Sequence, residues 1–230
     1  MKRGGPFVIV GMGRSGTSYL GSILHAAGIE MGAALKPGDH FNRRGYFEDV
    51  ETTQMHEDWL KQRGLTLMSV SDRLPVQAAD RESGKIAAYV AQREASGRPW
   101  GVKAPGILFF WPAWRERLPP ETVVLLPFRH PTAVVGSFER WGLAGETTLR
   151  LWEQLNRLAL AALDEGSFQG VVLNFDDRFA FGRRLQALLG AYVDPFEPAL
   201  VNHHPRPDLL SPELQRLYDE LVARSQSTIA

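Results

Sequence analysis

The sequence lacks cysteine altogether, which excludes disulfide bonds, thiolate metal sites and cysteine nucleophiles. It also lacks an excess of either charge, since 26 Lys and Arg residues balance 26 Asp and Glu residues. No global field therefore draws the protein to nucleic acid or to an anionic membrane, and any anion site has to be local. The apolar run near the basic N-terminus is too short for a signal peptide or a membrane span. We therefore expect a cytoplasmic protein.

The remaining composition is ordinary for a globular protein, with 44% hydrophobic and 23% charged residues in a chain of 230. That length is sufficient to bury one good-sized core. The sequence shows no repeat, low-complexity tract or linker that would separate two domains. We therefore predict that residues 1–230 form a single domain.

Four short apolar runs predict buried parallel strands, because each is followed by a turn signal and then by a helical pattern. The predicted strands are Phe7–Val10, Trp100–Val102, Val123–Phe128 and Val171–Phe175. This order is typical of an α/β fold, a three-layer sandwich around a mainly parallel sheet of about 4–5 strands. Ligands bind at the carboxyl ends of the strands in such sheets, where we expect helical insertions.

Apolar periodicity predicts eight helices. They are Thr17–Ala27, Asp49–Arg63, Ala79–Ser96, Ile107–Arg117, Thr132–Trp141, Thr147–Asp164, Arg178–Tyr192 and Pro212–Arg224. The stretches Gly32–Tyr46 and Leu65–Pro75 lack this periodicity and are predicted to be loops that shape a pocket. The proline-rich stretch Asp194–Pro207 is predicted to be extended.

The stretch VIVGMGRSGTSY joins the first predicted strand to the first helix through a glycine-rich turn. Such a turn directs backbone N–H groups and a helix N-terminus at one point, which suits an anion. The spacing of Gly11, Gly16 and the hydroxyl pair Thr17 and Ser18 nearly matches a Walker A loop. However, Thr17 replaces the lysine that reaches the β- and γ-phosphates, and Arg14 stands inside the loop. The loop is therefore expected to hold a nucleotide with a shorter phosphate chain.

A second phosphate-type site is predicted in LPFRHPTAVVGSFER, where Arg129 follows a strand and Pro131 opens a helix. Ser137 lies eight positions after the arginine, about two turns into that helix. An arginine fork and a serine hydroxyl in these places can converge on one phosphate. The structural alternative is an arginine that pairs with a surface carboxylate.

A candidate base is found in NRRGYFED, where Glu48 comes just before a predicted helix. The carboxylate is either an acid that favours the helix start or a general base for an acceptor hydroxyl. Its neighbours Tyr46 and Phe47 favour the base, since they partly desolvate the carboxylate. Two histidines compete for this role, His40 before the segment and His56 on the same helix. We rank Glu48 first and His40 second.

A candidate cation is Lys103, which follows a predicted strand in the stretch WGVKAP. A lysine at the end of a strand is often only a solvated cap. This one lies at the sheet edge where the ligand is expected, which favours a functional role.

These motifs together resemble the sulfotransferases that use 3′-phosphoadenosine-5′-phosphosulfate (PAPS) as donor, in particular the bacterial type with a P-loop-like fold. The family's 5′-phosphosulfate loop, G-x-x-R-S-G-T-S/T, is matched by Gly11, Arg14, Ser15, Gly16, Thr17 and Ser18. The resemblance implies that the donor is bound by this loop from Gly13 to Ser18. Its R-x-P strand end with a serine eight positions on, which grips the donor's 3′-phosphate, is matched by Arg129 and Ser137. The segment around Glu48 is similar to N-x-x-G-Y-F/W-E-D of bacterial members, and Lys103 matches the K-x-P lysine.

The resemblance implies transfer of a sulfuryl group from PAPS to a hydroxyl, with release of adenosine 3′,5′-bisphosphate (PAP) and without a metal ion. Glu48 would be the base, Arg14 and the loop N–H groups would meet charge on the leaving oxygen, and Lys103 would steady the sulfonate oxygens. The acceptor is left open among a small molecule, a carbohydrate and a lipid, and the oligomeric state is also open. We expect neither nucleic acid nor a membrane span.

Two rival functions stay open at this point. A P-loop kinase-like phosphotransferase would bind Mg·ATP, although the missing lysine argues against it. A non-catalytic PAP- or PAPS-binding module would bind the nucleotide and transfer nothing.

Two further patterns are assigned no chemistry. Asn174–Asp177 matches the family's strand-end Y-E-D-L pattern only loosely, so we give it no catalytic role. The adjacent His203 and His204 are not predicted to bind a metal, because no carboxylate or cysteine cluster accompanies them.

Overall fold

A parallel sheet lies at the centre of the computed structural model, which describes residues 5–40, 42–140, 142–190 and 210–227. Within these residues the sheet has four strands in the order β2-β1-β3-β4. Their bounds are Phe7–Ile9 for β1, Gly101–Lys103 for β2, Val123–Phe128 for β3 and Gln169–Asn174 for β4. All neighbouring pairs are parallel. The predicted α/β fold with a parallel sheet is confirmed.

Eight α-helices and one 3₁₀ turn connect and cover the strands in the described residues. The helices are α1 Thr17–Ala26, α2 Val50–Gln62, α3 Asp80–Ala95, α4 Trp111–Arg115, α5 Pro131–Glu139, α6 Gly145–Asp164, α7 Arg178–Leu189 and α8 Pro212–Gln226. The 3₁₀ turn, Ile107–Phe110, precedes α4. The prediction of one helix over Ile107–Arg117 was therefore wrong in detail. Pro112 has no N–H to bond the carbonyl four residues earlier, so a regular α-helix cannot run through this point.

The two faces of the sheet are buried in separate hydrophobic clusters. Side chains alternate along a strand, so Phe7 and Ile9 pack with α1 and α7, whereas Val8 and Val10 face the opposite cluster. The second cluster includes residues of α2, α3, α4, α5, α6 and α8. Helices on both faces of one sheet make three layers, as predicted.

The sheet register decides which chain segments meet at the ligand-binding edge. Ile9 at the end of β1 lies between Lys103 on β2 and Leu125 on β3. Phe128 at the end of β3 is paired with Asn174 at the end of β4. The segments that follow all four strands therefore leave the sheet at one edge and close to one another.

Some predictions fall outside the described residues: Trp141, the last residues of the predicted helix Arg178–Tyr192, the extended stretch Asp194–Pro207, and His203 with His204. In the part of the chain that the structure describes, no helix has the length and apolar character needed to cross a membrane.

Candidate active site

The glycine-rich turn between β1 and α1 has the backbone of an anion cradle. Gly11 and Gly16 have positive φ angles of 111° and 90°, which glycine adopts without steric cost. A Cβ atom on Gly16 would come within 2.4 Å of the Phe175 ring, so no other residue fits there. Arg14 also has a positive φ, 68°, and such backbone strain in non-glycine residues is concentrated at functional sites. No described side chain caps α1, so its first N–H groups stay available to a ligand.

The cradle is connected directly to the second predicted phosphate site. Arg14 Nε donates a hydrogen bond to Ser137 Oγ at 2.7 Å. Ser137 lies on α5 and is buried. His130, the residue just before α5, accepts a hydrogen bond from the Thr132 backbone N–H through its side chain and so fixes the start of the helix. The two motifs, 123 residues apart in sequence, therefore form one site.

Arg129 is held in place by a carboxylate that the sequence analysis did not use. Its Nε donates to Asp176 Oδ1 at 3.2 Å, and the His130 backbone N–H donates to Asp176 Oδ2 at 2.6 Å. Asp176 follows β4, the strand paired with β3. Arg129 therefore does pair with a carboxylate, as the structural alternative held, but it also lines a cavity. The sequence signal that could have shown this was an acid directly after a strand at the ligand-binding edge.

Arg14, Arg129 and Ser137 line a cavity of about 410 Å³ together with Gly16, Thr17 and Ser18. We call it the basic cavity, because arginines line it and its lining in the described chain contains no acidic side chain. Its five arginines are Arg14, Arg43, Arg44, Arg129 and Arg140. Burial and the nearby charges of Arg140 and Arg129 lower the pKa of the Arg14 guanidinium, as expected where positive charge is concentrated. Sequence reasoning assigned no role to Arg43, Arg44 or Arg140, although the first two belong to NRRGYFED and the third ends LPFRHPTAVVGSFER.

Glu48 and Lys103 form a buried ion pair at the same edge. Lys103 Nζ donates to Glu48 Oε1 at 2.5 Å and to the Tyr46 carbonyl at 3.0 Å. Both side chains are about 6–7% exposed. Burial lowers the pKa of Lys103, and the adjacent Glu48 charge partly opposes this shift. Since Lys103 ends β2 beside the start of the glycine-rich turn, the pair lies next to the cradle.

The backbone before α2 is shaped to bring Glu48 to Lys103. Phe47 has a positive φ of 54°, which is uncommon for an aromatic residue and costs backbone strain. Gly21 on α1 makes room for it, because a Cβ there would lie 2.8 Å from the Phe47 Cβ. The close approach of α1 to this segment therefore requires glycine.

Asp49, rather than Glu48, caps α2. Its Oδ1 accepts from the Glu51 backbone N–H at 3.3 Å, and its Oδ2 accepts from the Ala33 backbone N–H at 3.0 Å. Asp49 also forms a buried ion pair with Arg93. The helix-start role that the sequence left open for Glu48 is thus filled by its neighbour.

The two histidines proposed as alternative bases lie in different surroundings. His56 is fully buried; its Nε2 accepts from Trp114 Nε1 at 2.9 Å, and its Nδ1 is 3.0 Å from the Pro105 carbonyl. Nδ1 therefore carries the hydrogen, and burial lowers the pKa of His56 to about 4. With both ring nitrogens engaged, His56 has no atom for an acceptor. His40 is exposed and lines the basic cavity.

A second cavity, of about 200 Å³, adjoins the first. Glu48, Lys103 and Gly13 line it, and most of its other walls are hydrophobic, so we call it the apolar cavity. Arg14, Thr17 and Ser18 line both cavities. The predicted loops contribute as expected, with Tyr46 and Lys36 from the first and Leu67 and Met68 from the second.

Ser15 is the one predicted loop residue that lines neither of these two cavities. Its hydroxyl is buried and has no hydrogen-bond partner among the described residues. Among those residues there is also no group of three or more His, Asp or Glu side chains placed to hold a metal ion.

No family model matches the chain, and no curated protein matches it. Among solved structures, the sulfotransferase domain of the Synechococcus PCC 7002 olefin synthase is similar, with 19% identity and a TM-score of 0.46 over 100% of this chain and 93% of that one. A sulfotransferase from Mycobacterium tuberculosis is also similar, with 14% identity and a TM-score of 0.41 over 97% of this chain and 74% of that one. Both neighbours are sulfotransferases by name.

Proposed function

We propose that the protein transfers a sulfuryl group from PAPS to a hydroxyl of an acceptor and releases PAP. The observation that carries this proposal is the meeting of two unlike cavities at Arg14, Thr17 and Ser18. One cavity is lined by arginines, as a polyanionic donor requires. The other contains a buried carboxylate and ammonium beside hydrophobic walls, as an acceptor and its proton transfer require.

The donor is assigned to the basic cavity. Its 5′-phosphosulfate would lie at the N-terminus of α1, where the N–H groups of Thr17 and Ser18 favour an anion. Its 3′-phosphate would lie between Arg129 and Ser137. Asp176 supports this assignment, because it orients the Arg129 guanidinium through Nε. The volume of about 410 Å³ lies within the range of small-molecule sites.

The proposed reaction is a direct displacement at sulfur. As the acceptor oxygen forms its bond to sulfur, Glu48 takes the hydroxyl proton and the bond from sulfur to the PAP oxygen breaks. Lys103 occupies Glu48 Oε1, and within the described residues Oε2 accepts no hydrogen bond, so we assign the proton to Oε2. An ammonium has three donors, and Lys103 uses two of them on Glu48 and Tyr46. The third is assigned to an oxygen of the transferred group.

Charge that develops on the leaving PAP oxygen is assigned to Arg14 and the first N–H groups of α1. The hydrogen bond from Arg14 Nε to Ser137 fixes the guanidinium before the donor arrives. Donors that are already oriented stabilise a transition state without reorganisation at the moment of reaction.

A cytoplasmic location stays a prediction.

Calorimetric titration with PAP, with adenosine 5′-phosphosulfate and with Mg·ATP tests the donor assignment. The expected order is PAP tighter than the other two nucleotides, because only PAP offers the 3′-phosphate to Arg129. Tighter binding of Mg·ATP would instead support the phosphotransferase. Release of PAP from PAPS in the presence of a panel of alcohols then tests catalysis: PAP binding without any turnover would identify a non-catalytic binding module.

A further inference from the structure

The lining of the apolar cavity indicates the chemical class of the acceptor, which the sequence does not determine. Its walls come from the loop after α2, the 3₁₀ turn, α5 and α6. The side chains that matter are hydrophobic: Leu67, Met68, Phe109, Phe138, Leu151 and Leu155. The polar side chains Glu48 and Lys103 form one pair, and Arg14, Thr17 and Ser18 lie where the cavity meets the basic one. Lys36 and Tyr46 also line it; the Tyr46 hydroxyl already donates to Asp39, and the Lys36 ammonium lies over the Tyr46 ring.

The walls belong largely to the protein core, so their shape is fixed. Phe109, Phe138, Leu151 and Leu155 are all buried members of the larger hydrophobic cluster. Leu67 and Met68 are partly buried and pack against it. A close-packed interior does not rearrange freely to supply new polar partners.

A carbohydrate does not suit such walls. Each hydroxyl that enters them would lose its bonds to water without gaining a partner, and an unpaired buried polar group is costly. A hydrocarbon gains free energy on leaving water for the same surface.

We infer that the acceptor is an alcohol whose hydroxyl is carried on a hydrocarbon body, with the hydroxyl at Glu48 and the body against Leu67, Met68, Phe138 and Leu155. This inference rests on the proposed function and names its substrate class. If one methylene takes about the volume of a water molecule, ~30 Å³, the cavity of about 200 Å³ holds roughly six or seven carbon atoms.

The test is a series of straight-chain primary alcohols from propanol to decanol, assayed for PAP release at saturating PAPS. We expect kcat/KM to rise about fourfold per methylene and to level off at roughly six or seven carbons. Hexanol is compared with glucose, which has the same number of carbon atoms, and hexanol is expected to be much the better acceptor. A flat series, or a preference for glucose, would overturn the inference while leaving sulfuryl transfer intact.

Two variants test whether the hydrocarbon body of the acceptor lies in the apolar cavity. Met68→Ala enlarges it, so the plateau should move to longer alcohols, and Leu67→Ser should reduce the gain per methylene. Phe179→Ser is the control, because Phe179 is 69% exposed on α7 and lines neither cavity. An unchanged chain-length profile in both cavity variants would refute the placement.

A binding measurement separates the inference from the proposed function. Alcohols are titrated into the protein saturated with PAP, and tryptophan fluorescence reports binding without turnover. If no acceptor is sulfated but affinity rises with chain length to the same plateau, the proposed function fails and the assignment of the cavity to a hydrocarbon body stands. If alcohols are sulfated without any length dependence of binding, the inference fails and the function stands.

Discussion

Replacement of Glu48 by glutamine tests the centre of the proposed mechanism. The substitution keeps the volume of the side chain and a carbonyl oxygen for the Lys103 ammonium, but it removes the proton acceptor. General-base catalysis typically contributes about 10²–10⁴-fold. We therefore expect kcat to fall by at least about a hundredfold with any alcohol that the wild-type protein accepts.

The structure adds a cost in stability to the same substitution. Lys103 is buried against Glu48, and removing one partner of a buried pair commonly costs about 3–5 kcal/mol, because the other charge loses its compensation. The loss should lie near the lower end, about 3 kcal/mol, because glutamine still accepts a hydrogen bond. Unfolding in urea measures this difference between the variant and the wild type.

The pH dependence of that loss identifies its cause. Burial already lowers the pKa of Lys103 in the presence of Glu48, and without the carboxylate the pKa should fall further. In the unfolded state the pKa of a lysine is about 10.4. Between this pKa and the lower pKa of Lys103 in the folded state, the unfolded state of Glu48→Gln binds more protons than the folded state. The free energy of unfolding of Glu48→Gln should therefore rise with pH between the two pKa values. The same contribution to stability should be lost as the pH falls through the pKa of Lys103 in the folded state.

The double variant Glu48→Gln with Lys103→Met supplies the matched control. It removes the buried charge, so it should recover most of the stability that Glu48→Gln loses, whereas kcat should stay low. Calorimetry should show PAP binding within a few-fold of wild type in the single variant, because Glu48 does not line the basic cavity. Near-normal turnover of Glu48→Gln would refute the assignment of the base. An equal loss of stability in the single and double variants would refute the charge argument.

Three further substitutions or conditions test the site and its surroundings. Arg129→Ala should weaken PAP binding in calorimetry by roughly thirty- to a hundredfold, the effect of one charge-assisted contact, and should affect adenosine 5′-phosphosulfate far less; equal losses would show that Arg129 does not bind the 3′-phosphate. Arg14→Ala should lower kcat more than it raises KM for PAPS, since charge on the leaving oxygen develops only in the transition state; a changed KM with normal kcat would assign Arg14 to ground-state binding. His56, with its pKa lowered to about 4, should destabilise the fold by about 3 kcal/mol as the pH falls from 6.5 to 4, because the unfolded state takes up the proton first. Urea unfolding of His56→Gln should lack that part of the slope.

The sequence by itself determined the strand order along the chain and the residues that the proposal uses for the donor. Short apolar runs followed by turn signals can be recognised locally, because a buried parallel strand has few other compositions. The glycine spacing and the position of Arg14 were also local, since backbone N–H groups and a helix start are consecutive in sequence. Arg129 and Ser137 lie on one strand–helix unit, so their spacing indicated a common site.

Only the tertiary structure decided which neighbours these residues have. The partner of Glu48 is Lys103, 55 positions away, and the sheet register brings them together. For this reason only the structure predicts that glutamine at position 48 destabilises the fold, because it shows the buried pair. Asp176 at Arg129 and the roles of Asp49 and His56 follow from the same long-range packing.

The apolar cavity shows this difference most clearly. Apolar residues recur at helical spacing along α6, and Leu151 and Leu155 on that face are both buried. Periodicity reports that a face leaves water, but it does not report whether another side chain or an empty space lies opposite. Whether a cavity lies opposite this face depends on how α5, α6, the 3₁₀ turn and the loop after α2 meet beside Glu48 and Lys103. The nature of the acceptor is therefore a property of packing between distant segments, whereas the anion cradle is a property of one short stretch of chain.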